Sequence, residues 1–324
     1  DGATQEDLDR IVRAMAAAGT AAAEKLARMA VDETQYGVYE DKIVKNLYNT
    51  QFVADWMLQQ RTKGVLWVDE PNRVTAIGTP MGVIAGLIPV TNPTSTVLFK
   101  SLAALKAGNT IVHAPHPRAV RCSVATAEVL AEAAVAAGAP EGVVECLTIP
   151  DLGATGALMS HEDVSLVLAT GGGDMVRAAY RAGKPCIAVG PGNVPAYVDA
   201  SVADPAEAAE MIVASKSFDN GTACVAEQSI VVHRSVAGAL SDGLEAAGMH
   251  WMSDDEARAL ERVLFTARGG LNPENVGQLA TELARRSGFT VPGGTKVLGV
   301  RLDQVGVHEP LSREILGPVL SVYE

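Results

Sequence analysis

Aromatic side chains are scarce in this chain of 324 residues, at 4%. That scarcity argues against an all-β sandwich, whose strands draw on aromatic and threonine residues. There is no run of lysine and arginine either: 26 basic residues are scattered among 38 acidic ones, for a net charge of -12. Docking onto a row of phosphates needs the opposite balance, so nucleic acid is not expected as a partner. Long apolar runs are missing as well. The stretches 83–90 and 111–114 are soon broken by Gly, Pro or His, so no membrane partner is expected and the chain reads as soluble. The four cysteines, Cys122, Cys146, Cys186 and Cys224, stand far apart. Their spacing fits neither a zinc site nor a redox dithiol, and the six histidines form no ligand pattern, so no metal is expected and a reducing cytoplasm is the simplest compartment. The chain opens on Asp1 rather than methionine, which leaves room for a trimmed start.

What is abundant is small and apolar: 48% of residues are hydrophobic and 31 are glycine, enough for a large core and for two domains of α/β type. From Leu8 to about Gln60 apolar residues recur at helical spacing, as in Leu8, Ile11, Val12 and Met15, which predicts a helical lead-in. Around the turn signal Asp69-Glu70-Pro71-Asn72 the pattern alternates and predicts a hairpin arm over about 62–78, of the kind that pairs with another subunit. Beyond it, short apolar runs at 82–88, 110–113, 143–147, 165–169 and 186–189 alternate with helical segments at 94–105, 120–137 and 175–181. Such alternation predicts buried strands of a doubly wound, Rossmann-like parallel sheet. We expect a cofactor domain over 1–216 and a second α/β domain, holding Cys224, over 217–324. The chain stops inside what reads as a strand, 319–324, which leads us to expect a domain cut off at its C-terminus.

Cys224 follows a polar turn, Ser217-Phe218-Asp219-Asn220-Gly221-Thr222-Ala223, whose backbone amides are placed to face a sulfur or an oxyanion. Taken alone it is more often a buried core thiol than a nucleophile. Asn92, before Pro93, suits a turn or helix cap as well as a catalytic amide. Thr170-Gly171-Gly172-Gly173 sits between a strand and a helix, where glycine allows either a tight turn or close approach of a phosphate.

Together these motifs resemble the coenzyme A-acylating aldehyde dehydrogenases, above all the aldehyde dehydrogenase half of the bifunctional aldehyde-alcohol dehydrogenases. The likeness rests on 217–221 with Cys224 and Glu227-Gln228-Ser229, on 89–96, on 115–119, on 168–172 and on Gly183-Lys184-Pro185. It implies an aldehyde dehydrogenase fold with a small oligomerisation hairpin, a homo-oligomer, Cys224 as the nucleophile and Asn92 as the side-chain amide on the oxyanion. It also implies a nicotinamide cofactor, NAD or NADP, met by Pro89, Thr91, His116, Arg118, Gly156, Thr170, Gly171, Gly172, Met175, Val189, Gly190 and Glu314. Glu314, in Arg313-Glu314-Ile315-Leu316-Gly317-Pro318, matches the carboxylate on the nicotinamide ribose; an ordinary surface acid is the alternative.

Two departures from the hydrolytic aldehyde dehydrogenases carry information. Val189-Gly190-Pro191-Gly192 stands where those enzymes place a glutamate that activates water. Valine is no general base, so a thiol, coenzyme A, becomes the acyl acceptor. At 114–118 the lysine and glutamate that hold the adenosine ribose are missing, and Arg118 is either a partner for a 2′-phosphate or a solvated charge. The implied reaction takes a short aldehyde, coenzyme A and NAD or NADP to acyl-CoA. Acetaldehyde is the default, and sulfoacetaldehyde and propanal stay open. A hydrolytic enzyme, a nicotinamide-free acyltransferase and a non-catalytic assembly module are the rivals.

Overall fold

Apolar residues every three or four positions along the first sixty residues become four helices in the computed structural model, which describes residues 2–267 and 269–324. These are α1 (Gln5–Ala21), α2 (Ala23–Thr34), α3 (Tyr39–Tyr48) and, after a π-helical turn, α4 (Ala54–Leu58). Thr4 starts α1 in a capping box, accepting the Asp7 N–H while the Asp7 carboxylate takes the Thr4 N–H, which satisfies two otherwise orphaned donors. The hairpin follows as β1 (Gly64–Asp69) and β2 (Val74–Gly78), antiparallel. It leaves Val65, Trp67, Val68, Val74 and Ile77 exposed.

The chain divides into two compact units, one of residues 1–35 and 39–190, the other of 36–38 and 191–324. In the first, β3 (Val83–Ile88), α5 (Pro93–Lys106), β4 (Thr110–Pro115), α6 (Val120–Ala136), β5 (Val144–Cys146), α7 (Leu152–Ser160), β6 (Val164–Thr170), α8 (Gly173–Arg181) and β7 (Cys186–Val189) alternate strand with helix. The sheet is parallel, in the order β5-β4-β3-β6-β7. The chain thus winds outward from β3 through β4 to β5, then returns to the other side of β3 with β6. The carboxyl ends of β3 and β6 therefore bound a topological switch point, the crevice in which open α/β sheets hold ligands. One expectation needs correction: β7 is not fully buried, because it is an edge strand, and Ile187 and Val189 are exposed.

The second unit is built from β8 (Val194–Val198), α9 (Pro205–Ser217), β9 (Glu227–Val232), α10 (Arg234–Ala247), β10 (Met249–Trp251), α11 (Asp254–Leu264), α12 (Ala280–Arg286), β11 (Val297–Arg301) and β12 (Val319–Tyr323). Its order is β10-β11-β12-β9-β8, again parallel throughout, with Ile230, Leu240, Leu244, Val297 and Leu320 in its core. The boundary between units falls at 190/191, not at the expected 216/217. The reason is β8, which pairs with β9, and α9, whose Ala209, Ile212 and Val213 pack into the second core. Among the described residues no helix is long and apolar enough to cross a membrane.

Candidate active site

In the first unit the residues singled out from sequence gather at the carboxyl edge. Pro89, Thr91 and Asn92 follow β3, and His116 and Arg118 follow β4. Thr170, Gly171 and Gly172 close β6, Val189 and Gly190 close β7, and Gly156 and Met175 lie on α7 and α8. Asn92 stands at the N-cap position of α5, yet its side chain makes no capping bond. Its Oδ1 instead accepts from Lys45 Nζ at 2.7 Å. Lys42 Nζ donates to Thr91 O at 3.0 Å, and Thr94 Oγ1 donates to Asn46 Oδ1 at 2.9 Å. Lys42, Lys45 and Asn46 lie on one face of α3, three and four residues apart, and each touches this turn.

At the glycine cluster, the Gly171 N–H is bound to Val189 O at 3.2 Å, so it serves the chain itself. A Cβ added at Gly172 or Gly156 would meet nothing within 4 Å. Packing within the chain therefore does not require glycine there, while close approach of a bound molecule would. Arg118 Nη2 donates to Thr34 O, the last residue of α2, at 3.1 Å, where a cation is favoured by the negative end of the helix dipole. The amide N–H groups of Arg121 and Cys122, at the start of α6, are bound by the Glu33 carboxylate at 2.9 and 2.8 Å, so an anion already occupies that helix end.

In the second unit the groups meet at the opposite, amino edge. Gly192 precedes β8, Cys224 precedes β9, Glu314 precedes β12, and these strands are neighbours. Of the four cysteines Cys224 is exposed, Cys122 is buried, and Cys146 and Cys186 are intermediate. Burial pushes the Cys122 thiol up, lifts Cys146 to about 12 and raises Cys186, so none of these three is a ready thiolate.

The turn before Cys224 is strained and firmly held. Asp219 and Asn220 both adopt left-handed backbone, with φ of 50° and 51°, at a cost of about 1–3 kcal/mol each. The buried Asp219 carboxylate accepts the Val38 N–H at 2.7 Å and the Thr222 hydroxyl at 2.6 Å. Asn220 Nδ2 donates to Gly277 O at 3.0 Å. Gly37, at φ +79°, lies so close that an added Cβ would fall 1.9 Å from Asp219 Oδ1.

Behind Cys224 lies a small recess lined by Gly192, Lys216, Gln228, Glu314 and Ile315. Glu314 Oε1 accepts the Gly192 N–H at 2.9 Å. Burial raises its carboxyl above the usual range, while that N–H and the Lys216 charge oppose the rise. Lys216 is buried, with Nζ 3.3 Å from Ile315 O, and desolvation holds it down to about 7 against the pull of Glu227 and Glu314. Gln228 Oε1 accepts the Ile315 N–H at 2.7 Å, leaving its Nε2 buried and unpartnered. Among the described residues no group of three or more His, Cys, Asp or Glu could hold a metal ion.

Sequence reasoning missed Lys42, Lys45, Asn46 and Lys216. Lys216 carried a signal, since it extends the apolar stripe Ala209, Ile212, Val213 of α9 by one further turn, where a lysine is out of place. The three residues of α3 carried none, because their partners lie more than forty positions downstream.

Comparison with known proteins bears on this arrangement. Residues 3–259 match the model of the aldehyde dehydrogenase family. The aldehyde-alcohol dehydrogenase of Streptococcus pneumoniae is 44% identical over 306 residues, which cover 92% of this chain and 34% of that protein. The chain thus spans about a third of that relative's length. Among solved structures, the acetylating aldehyde dehydrogenase of Geobacillus thermoglucosidasius superposes with a TM-score of 0.95 at 41% identity, covering 99% of this chain and 71% of that one. The Rhodopseudomonas palustris propionaldehyde dehydrogenase with bound propionyl-CoA gives 0.86 at 31%, covering 99% and 70%. The mixed α/β architecture with two parallel sheets is the fold of these acylating enzymes.

Proposed function

Because the chain belongs to the aldehyde dehydrogenase family, we propose that it supplies acylating aldehyde dehydrogenase chemistry, turning a short aldehyde, coenzyme A and NAD or NADP into acyl-CoA. The observation that carries this reading is Cys224, the exposed thiol among four, set on a strained turn that a buried aspartate holds in place. Its sulfur adds to the aldehyde carbon while the thiol proton passes to solvent, to which Cys224 is exposed, and the Asn92 amide N–H steadies the oxyanion. Cys224 would keep the acyl group as a thioester, and a nicotinamide, when bound, would supply the two-electron oxidation by accepting hydride from the aldehyde carbon. The carboxyl edge of the first sheet suits such a group, since it holds a topological switch point and an added Cβ at Gly156 or Gly172 would meet nothing within 4 Å. Glu314 offers a carboxylate for ribose hydroxyls.

Release is the step that separates acylating from hydrolytic chemistry. Val189 has no proton-accepting atom, so water lacks a general base there, and the coenzyme A thiol takes the acyl group and returns Cys224 to a thiol. The bound propionyl-CoA of the R. palustris enzyme supports that acceptor. The exposed β1-β2 hairpin supports a homo-oligomer in which this arm meets a second copy. The test uses purified protein, expressed with whatever flanking sequence its gene encodes, and an aldehyde panel led by acetaldehyde with NAD and NADP in turn. Acyl-CoA should form only with coenzyme A present and should vanish in Cys224→Ala. Free acid formed without coenzyme A would favour the hydrolytic reading, and acyl exchange without nicotinamide reduction would favour a transferase.

A further inference from the structure

We propose that Lys45 is a positioning residue that fixes the orientation of the Asn92 amide, with Lys42 and Asn46 locking the turn on which that amide rides. The proposal rests on the reading of Asn92 as the oxyanion donor. An asparagine at the N-cap of a helix ordinarily turns its oxygen onto an amide of the first turn. Asn92 does not, although α5 begins at Pro93 immediately after it. Its Oδ1 lies 2.7 Å from Lys45 Nζ instead. An ammonium has three donors and no acceptor, so the amide atom facing it must be the oxygen, and Nδ2 is turned the other way. Rotating the amide would set an NH2 against an ammonium. The charge also draws electron density toward Oδ1, which makes the N–H groups stronger donors in a partly buried site.

The rest of the clamp removes the other freedoms. Lys42, 2% exposed, holds the carbonyl of Thr91, one residue before the amide. The buried Asn46 accepts from Thr94, two residues after it, and is itself tied to α2 through Nδ2 and Ala23 O at 3.0 Å. Thr96 Oγ1 closes on Asn92 O at 2.6 Å. Two buried or half-buried ammonium groups aimed at a single turn exceed what a helix start needs. They suit a side chain whose N–H direction matters.

The test is a double-mutant cycle on the protein expressed with its native flanking sequence: Asn92→Ala, Lys45→Met, the pair, and Lys45→Arg. Lys45→Met should lower kcat for acyl-CoA formation about tenfold or more, with the aldehyde KM within about twofold, since removal of one oxyanion donor costs about a hundredfold or more. Lys45→Arg should recover most of that loss. In the Asn92→Ala background Lys45→Met should add less than about twofold, because a residue acting through the amide has nothing left to orient. If Lys45→Met does not fold, Lys45→Gln, a neutral donor of shorter reach, replaces it in the same cycle. Loss in Asn92→Ala with a fully additive Lys45→Met overturns the proposal alone, as does an unchanged kcat in Lys45→Met. An unchanged kcat in Asn92→Ala overturns the reading of Asn92 and the proposal with it.

Discussion

Two five-stranded parallel sheets in one chain carry their candidate groups at opposite edges: the first where its strands end, the second where β8, β9 and β12 begin. The means of holding them differ too. The turn after β3 is gripped by lysines reaching over from α3. The turn before Cys224 is gripped by a buried carboxylate and by left-handed backbone packed against glycine. The carboxyl edge of a parallel sheet provides a crevice with helix N-termini, suited to anions and nucleotides. The amino edge offers no such field, so a reactive group there depends on the covalent path of its own loop.

If the second turn is held by backbone geometry, its weakest point is Gly37. Gly37→Ala should cost about 5 kcal/mol or abolish folding of the second unit, because the methyl group would displace Asp219 and the backbone is left-handed. Urea unfolding measures this, and a loss below about 1 kcal/mol would show that the Asp219 carboxylate is free to move aside.

The buried lysines sharpen the comparison. Lys100, in the first unit, donates to Leu87 O at 2.6 Å and Leu168 O at 2.8 Å, and Lys216, in the second, has Ile315 O at 3.3 Å. Burial holds each down to about 7. Between about pH 7 and pH 10.5 the unfolded chain keeps protons that the folded chain has shed, so stability should rise with pH across that window and be flat with respect to these groups below it. Lys100→Met strands two carbonyls at the switch point and should cost about 2–3 kcal/mol at pH 7. Lys216→Met removes a buried charge that has one long hydrogen bond and two carboxylates near it, and a methionine of similar volume should hold the loss to about 1 kcal/mol, below that at Lys100. It should also flatten part of the alkaline rise. Thermal melts over pH 6–10 decide both, and equal losses would erase the distinction between the two sites.

The smallest effect expected is at Arg118. Its side chain is exposed and its bond to Thr34 O is partly buried at a helix end, so Arg118→Ala should cost about 0.5 kcal/mol. A large selective loss of NADP use, in parallel assays with both nucleotides, would instead give this arginine the phosphate.

Much of this was legible in the sequence, and what was not has physical reasons. The alternating runs from 82 to 189 mark real strands because parallel strands are apolar on both faces. The hairpin was legible from its turn residues. β8 was not: five residues containing Pro195 read as loop, and the proline is tolerated because β8 is an edge strand with a register shift at that residue. With β8 unread, the boundary was drawn too late. The insertion of 36–38 into the second unit had no signal, since Val38 gives Asp219 a backbone N–H, a group every residue but proline has. Cys224, Asn92 and Glu314 stand out in the sequence because long motifs surround them. Lys45 was missed because a lysine on a charged helix looks solvated until its partner is placed.

Cys224 is proposed to carry the acyl group as a thioester that water does not readily discharge. Incubation with acetaldehyde and oxidised nicotinamide, without coenzyme A, followed by peptide mass analysis tests it directly. The account predicts an acetyl adduct on the peptide bearing Cys224, persisting until coenzyme A is added and then lost as acetyl-CoA. An adduct on Cys122, Cys146 or Cys186, or free acetate accumulating with no adduct, would contradict it.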